Sequence, residues 1–289
     1  MIQCVTPNNY GFFHKGKVGV DYYNQQVTLR RDKYPLPFVD GEQKYQNEID
    51  ELNKNGFVVF KQAIQHDIIE RILERTDKII EQGHLLKAKD EHYAVVADPF
   101  INVPEILDIA FSDHLINFAS EYFKCVPGIG TFNLRKSYIN DLPPKGTQFF
   151  HVDRNSIKFF KFFIYMNDVD CVEDGPLTLV KKSGNKRPFN HSYQHRWSEE
   201  QIKQIYGNDS LVYLTAKKGD LIAATTSFYH RGTKPSSKER TMLTLNYGIH
   251  QELEDGNPTS PAKWFKIKQN YCDSLPEWKK PVADFLTKV

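Results

Sequence analysis

Hydrophobic positions recur at helical spacing in the first third of the chain and alternate along much of the rest. Residues Tyr45 to Asn53 read as a helix that Gly56 ends, and "FVVF", Phe57 to Phe60, reads as a short buried strand. Ile68, Ile69, Ile72, Leu73, Ile79 and Ile80 then mark an amphipathic helix, with Asp67 near its start and Gly83 past its end as caps. "PEILDIAFSDHLINFASEYF" predicts two more short helices. From Gly130 the period changes. "TFNLRKSYIN", "IKFFKFFIYMND", "PLTLV", "SLVYLT", "DLIAATT" and "TMLTLNYGI" are short β-rich segments separated by Gly, Pro, Asn and Asp. Such a succession predicts a sandwich or jelly roll, so the expected class is mainly β with flanking helices around a jelly-roll, cupin-like core.

The flanks read differently. Residues 1–43 are polar and irregular and end in the proline-containing "RRDKYPLPFVDGEQ", expected as an extended arm lying on the main domain. The expected domain is then 44–289, with its β core at about 130–249 and a C-terminal extension, 250–289, that carries short helical stretches and packs back on the strands. Between two core strands lies "KKSGNKRPFNHSYQHRWSEEQIKQIYGNDS", residues 181–210, which is long for a plain loop and predicts a functional or structured insertion.

Composition narrows the partners. The 289 residues are 40% hydrophobic and 26% charged, ample for a sizeable core. Basic residues number 38 and acidic 36, so no bulk field draws the chain to nucleic acid or to a membrane surface. Four cysteines form no CxxC pair, which predicts reduced thiols and a cytoplasmic setting. The N-terminal residues lack the apolar region of a signal peptide, and no run approaches the roughly 18 apolar residues of a membrane span.

The chemistry concentrates in "QFFHVDRNS". His151 and Asp153 stand one residue apart, and on a strand they share a face. His230, at the end of the apolar "DLIAATTSFYH", is the best third ligand, since strand ends beside loops are where sites are built on β scaffolds. Two His and one carboxylate form the facial triad of non-haem Fe(II) oxygenases, which leaves coordination positions open. Ten residues after His230, Arg240 opens an apolar strand, and its guanidinium fork suits a carboxylate. Asn133, Arg135 and Ser137 alternate with apolar residues and could form a polar wall or a solvated face. Gln148, three residues before His151, is a further candidate for positioning a co-substrate. Lys158 and Lys161 fall on opposite faces of one strand, so the inward side is open, with Lys161 and Tyr165 as candidate pocket residues. Lys181, Lys182, Lys186 and Arg187 form a basic cluster that reads first as a solvated loop, and second as a contact for an anionic substrate. His191 and His195 lack a carboxylate partner and read as non-ligands.

Four segments in order resemble the phytanoyl-CoA dioxygenase family of Fe(II)/2-oxoglutarate-dependent oxygenases, over roughly Tyr45 to Ile249. They are "IDELNKNGFVVFKQAIQHDIIERI", "FFHVDRNS", "DVDCVEDGPLTLVKKSGNK" and "GDLIAATTSFYHRGTKPSSKERTMLTLNYG". The resemblance implies a double-stranded β-helix. It implies Fe(II) on His151, Asp153 and His230, 2-oxoglutarate on Arg240, and O2 as oxidant. It also implies hydroxylation of a C–H bond in a small-molecule or carrier-linked substrate, with 2-oxoglutarate converted to succinate and CO2. The sequence departs from the family in two places. The family's P-G-S-H turn is Lys181-Lys182-Ser183-Gly184 here, and the Ser common two residues after the distal His is Gly232, with Thr233 the candidate replacement hydroxyl. Asp153 is retained where related halogenases carry a small residue, which favours hydroxylation. The rival readings are a non-catalytic cupin-like binding module and a zinc hydrolase on the same three ligands. The second would need a general acid or base that the sequence does not offer.

Overall fold

The computed structural model describes residues 4–5, 17–37, 43–86, 90–153, 158–184, 187–188, 196–249, 253–254, 257–261 and 265–289. Its principal helices are α1 (Lys17–Lys33), α2 (Gln46–Asn55), α3 (His66–Glu81), α4 (Glu105–Ala110), α5 (Asp113–Phe123) and α6 (Glu199–Tyr206). Its principal strands are β1 (Phe57–Phe60), β2 (Tyr93–Val95), β3 (Gly128–Ser137), β4 (Phe159–Tyr165), β5 (Leu177–Val180), β6 (Leu211–Leu214), β7 (Leu221–Ala224), β8 (His230–Gly232) and β9 (Arg240–Gly248).

Two antiparallel sheets result. The larger has the order β1-β7-β4-β9-β3-β2 and the smaller β8-β5-β6. Alternation along the central strands gives the large sheet two apolar faces. On one, Leu134, Phe160, Phe162, Ile164, Leu221, Leu243 and Leu245 share a core with Ile49 and Leu52 of α2, Ile69 and Ile72 of α3, and Phe118 of α5. On the other, Phe163, Tyr165, Ile222, Ala224 and Met242 meet Leu177, Leu179 and Leu214 of the small sheet. Each large apolar side chain buried this way contributes about 1.5–3 kcal/mol. The Tyr165 hydroxyl ties the sheets together: it donates to Leu214 O at 3.0 Å and accepts from Leu177 N at 2.7 Å. That bonding occupies the residue proposed above as a pocket candidate.

The jelly-roll expectation holds in its coarse form, as two antiparallel sheets packed face to face; among the described residues no ladder closes them into a barrel. The mainly β expectation needs correction. Helical residues outnumber strand residues, because the N-terminal helices cover a whole face of the large sheet. Within the expected irregular arm, Lys17–Lys33 is helical. Tyr23, Val27, Arg30 and Tyr34 lie at i, i+4, i+7 and i+11, so they make one stripe. The Tyr23 hydroxyl donates to Phe123 O at 3.2 Å, and Arg30 donates to Val126 O at 2.7 Å and Pro281 O at 3.0 Å. Asp67 does not cap α3: the residue at the N-cap is Gln65, and the Asp67 carboxylate pairs with Arg71 at 2.8 Å. No helix of the described chain is long and apolar enough to cross a membrane.

Part of the 181–210 segment falls within the described residues. Lys181 and Lys182 sit exposed in a turn, and Arg187–Pro188 pairs with Cys4–Val5. Lys186, His191 and His195 lie outside the described residues. Helix α6 then begins at Ser198, whose Oγ accepts from Gln201 N while the Gln201 side chain accepts from Ser198 N.

Gly175 turns the chain into β5 with φ +76°, and a Cβ there would stand 2.7 Å from Thr233 O and 2.8 Å from Pro235 N. Both neighbours are backbone and cannot rotate away. Gly175→Ala is expected to destabilise the fold by about 2 kcal/mol or more, read as a lower urea midpoint. An unchanged midpoint would mean that the 233–235 loop moves freely.

Candidate metal centre

The site begins with a backbone pair. His151 N donates to His230 O and His230 N donates to His151 O, both at 2.9 Å. Residues paired this way face each other across antiparallel chains, so their side chains emerge together. The imidazole centroids lie 4.2 Å apart, tilted by 48°. Asp153 joins them on the same side, two residues along from His151, and its own N–H donates to Thr226 O at 3.0 Å. One ligand atom from each of His151, Asp153 and His230 falls within 4.8 Å of the others.

The tautomers are set locally. His151 Nδ1 is 2.9 Å from Phe149 O and His230 Nδ1 is 3.0 Å from Phe228 O. A carbonyl only accepts, so each Nδ1 donates, and Nε2 is the ring nitrogen turned towards Asp153. Those Nε2 atoms lie 3.7 and 3.4 Å from the Asp153 carboxylate. Burial, then the neighbouring imidazole, pushes His151 down to about 3, so it is neutral at physiological pH. Burial alone would raise the Asp153 carboxyl, but the neighbouring Lys161 ammonium outweighs it and holds it well below the usual range. Lys161 Nζ is 2.7 Å from Asp153 Oδ2. The face of β4 left open by the sequence is therefore decided: Lys161 and Phe163 look into the cavity.

The scaffold behind the histidines is tight. The Phe228 ring sits against Gly184 and Gly56, where Cβ atoms would approach it to 2.4 and 3.0 Å. Its carbonyl is the one that orients His230. Ser183, in the altered turn, accepts from Tyr229 N at 2.8 Å and donates to Val180 O at 2.8 Å. Trp197 and Phe150 exchange both backbone hydrogen bonds at 2.9 Å, and Arg231, stacked 4.5 Å over the Phe150 ring, pairs with Glu199 of α6. The insertion thus backs the metal-facing strands from outside.

Arg240 lines the same cavity as the triad. It is 3% exposed, its Nη2 donates to Ser137 Oγ at 3.3 Å and its Nη1 reaches Thr233 O at 3.5 Å, while its Nε is buried with no partner. Burial lowers it to about 10, which leaves it charged at neutral pH. Among the described residues no carboxylate lies within 4.0 Å of it. A buried cation in that state calls for an anion.

The cavity, of about 280 Å³, is also lined by Asn133, Arg135 and Ser137 of β3 and by Gln148, with Gly232, Met242 and Thr244. The polar side of β3 is thus the inner side. Gln148 Oε1 is already engaged by Lys145 N at 2.8 Å. Thr233 does not line the cavity: its hydroxyl pairs with Thr178 Oγ1 at 2.7 Å, and Ser137 is the hydroxyl beside Arg240. Tyr93, Thr147 and Phe265 also line the cavity and were not singled out from the sequence, because they arrive from distant segments with no local pattern.

No protein-family model matches the chain, and no curated protein does. Solved structures do. HygX from Streptomyces hygroscopicus, with nickel and 2-oxoglutarate bound, aligns with TM-score 0.55 at 13% identity, over 72% of this chain and 89% of that one. The α-ketoglutarate-dependent carbocyclase SnoK from nogalamycin biosynthesis gives 0.54 at 14%, over 71% and 84%. EctD from S. alaskensis, with 2-oxoglutarate and 5-hydroxyectoine, gives 0.54 at 12%, over 74% and 79%. The chain shares its fold with these structures. Within this fold, the chain carries a cluster of two histidines and one carboxylate that could hold a metal ion.

Ser183→Ala is expected to leave the buried Tyr229 N–H unsatisfied and to cost about 1–3 kcal/mol, measured by chemical denaturation. An unchanged midpoint would show that this N–H finds another acceptor.

Proposed function

We propose that the protein is an Fe(II)/2-oxoglutarate-dependent dioxygenase of the phytanoyl-CoA dioxygenase type that hydroxylates a C–H bond of a small-molecule or carrier-linked substrate. The observation that carries this reading is the pairing of two features in one cavity: the triad of His151, Asp153 and His230, and the buried Arg240, which has no carboxylate partner among the described residues. The donor set fits iron(II): two imidazole nitrogens and one carboxylate, with the cavity side left open. It fits 2-oxoglutarate as well, because the acid has one carboxylate to chelate the metal and a second to meet Arg240.

Each residue has a distinct task. His151 and His230 offer Nε2 because Nδ1 is engaged by a carbonyl. Lys161 occupies Asp153 Oδ2, so Oδ1 is the oxygen available to a metal. Arg240 neutralises the distal carboxylate of the co-substrate, with Ser137 Oγ beside it. Bound at this site, iron with 2-oxoglutarate supplies the oxidising chemistry, converting O2 and 2-oxoglutarate to succinate, CO2 and one oxygen atom inserted into the substrate. The four segments resembling the family support the finer assignment, and the retained Asp153 favours hydroxylation over halogenation.

Three outcomes are expected. Fe(II) and 2-oxoglutarate added anaerobically should give a visible charge-transfer band, and admission of air should release succinate; a colourless complex that yields no succinate would reject the oxygenase. His230→Ala should abolish metal binding by calorimetry. Arg240→Gln should keep the metal and weaken 2-oxoglutarate by about 10- to 100-fold, and unchanged co-substrate affinity would mean that the anchor lies elsewhere.

A further inference from the structure

Arg240 is not the cavity's lone guanidinium. Arg135 lines it too, on β3, paired in register with Met242, two residues along β9 from Arg240. Its Nη1 donates to Thr147 Oγ1 at 3.2 Å, and its guanidinium stacks 4.5 Å over the Tyr93 ring. Its Nε is buried with no hydrogen-bond partner. Among the described residues no carboxylate lies within 4.0 Å of it: the acidic group that acts on it from nearby, Asp90, is itself held by Lys145 at 2.9 Å. The ring and the threonine fix the plane of the fork.

A charge count over the cavity points the same way. Its lining holds three cations, Arg135, Lys161 and Arg240, against the single carboxylate of Asp153. Lys161 is spent on Asp153. Adding a divalent metal and the dianion 2-oxoglutarate changes the sum by nothing, and Arg240 takes the distal carboxylate. Arg135 is left as a half-buried cation with no carboxylate partner among the described residues, and an anion meeting it would offset its partial desolvation.

We propose that Arg135 is the substrate's recognition residue and that the substrate is a small organic acid, held by its carboxylate on the Arg135 guanidinium. This rests on the oxygenase reading, with Arg240 as the co-substrate anchor. Phe163, Met242 and Phe265 offer the acid's carbon skeleton an apolar wall. The planar fork matches a carboxylate bidentately, and the cavity of about 280 Å³, shared with the co-substrate, suits a small molecule.

The test uses the full chain loaded with Mn(II) and saturating 2-oxoglutarate, so that the Arg240 site is filled. The probes are amino acids and small hydroxy and aliphatic acids, each beside its primary amide, followed by saturation-transfer NMR and calorimetry. Wild type should retain a subset of acids and bind the matching amides at least about tenfold more weakly. Arg135→Gln should lose that preference, Arg135→Lys should keep part of it, and both should bind 2-oxoglutarate within about twofold of wild type, which also reports that they fold. Equal binding of acids and amides by wild type would overturn the proposal. So would an unaltered preference in Arg135→Gln, or the absence of any acid binder in wild type that binds 2-oxoglutarate normally. Loss of 2-oxoglutarate from Arg135→Gln but not from Arg240→Gln would overturn it by exchanging the two roles. Failure of wild type to bind metal or 2-oxoglutarate at all would instead reject the oxygenase reading beneath it.

Discussion

The mutual backbone hydrogen bonds of His151 and His230 are the constraint from which the site follows. They join the small sheet to the segment that runs in before β4. Because each amide answers the other's carbonyl, the two imidazoles have no freedom to separate, and the i+2 geometry brings Asp153 to the same side. Everything else around the triad refines this pair. Two carbonyls, each two residues back, choose the tautomers. Phe228, wedged against two glycines, fixes one of those carbonyls.

The arginines obey a different logic. Around the triad, charges are matched: the Asp153 carboxylate has Lys161. Around Arg240 and Arg135 they are not. The triad is complete as folded, and the arginines are left short of anions. A fold that keeps the buried Arg240 and the half-buried Arg135 without a carboxylate partner among the described residues spends stability there, and such expense is ordinarily found where a ligand offsets it.

The strands were readable in the sequence because they alternate and are punctuated by Gly, Pro, Asn and Asp, and α2 and α3 were readable because isoleucines and leucines mark their inner faces. The helix at 17–33 was not, since its buried stripe consists of tyrosines, one valine and an arginine, which do not look apolar. Helix α6 carried a legible signal, Ser198 followed three residues later by Gln201, that the surrounding polar run obscured. The inward face of β4 was undecidable locally because Lys158 and Lys161 oppose each other. In the fold Lys158 precedes the strand and donates to Tyr122 O at 3.0 Å, so only Lys161 bears on the question. His151, Asp153, His230 and Arg240 could be picked out by residue type and spacing. Tyr93, Thr147 and Phe265 depend on long-range docking that no local pattern encodes.

The pairing of Trp197 with Phe150 has a consequence for anyone shortening this chain. Residues 181–210 look like a dispensable excursion between two strands. Yet Trp197 is the partner that satisfies both backbone groups of Phe150, next door to His151, and with Phe150, Val180, Ile202 and Tyr229 it forms a small core of its own. Replacing the excursion with a tight hairpin would strip a sheet edge bare and leave greasy side chains facing water beside the ligands. A minimised version of this protein must therefore be cut elsewhere.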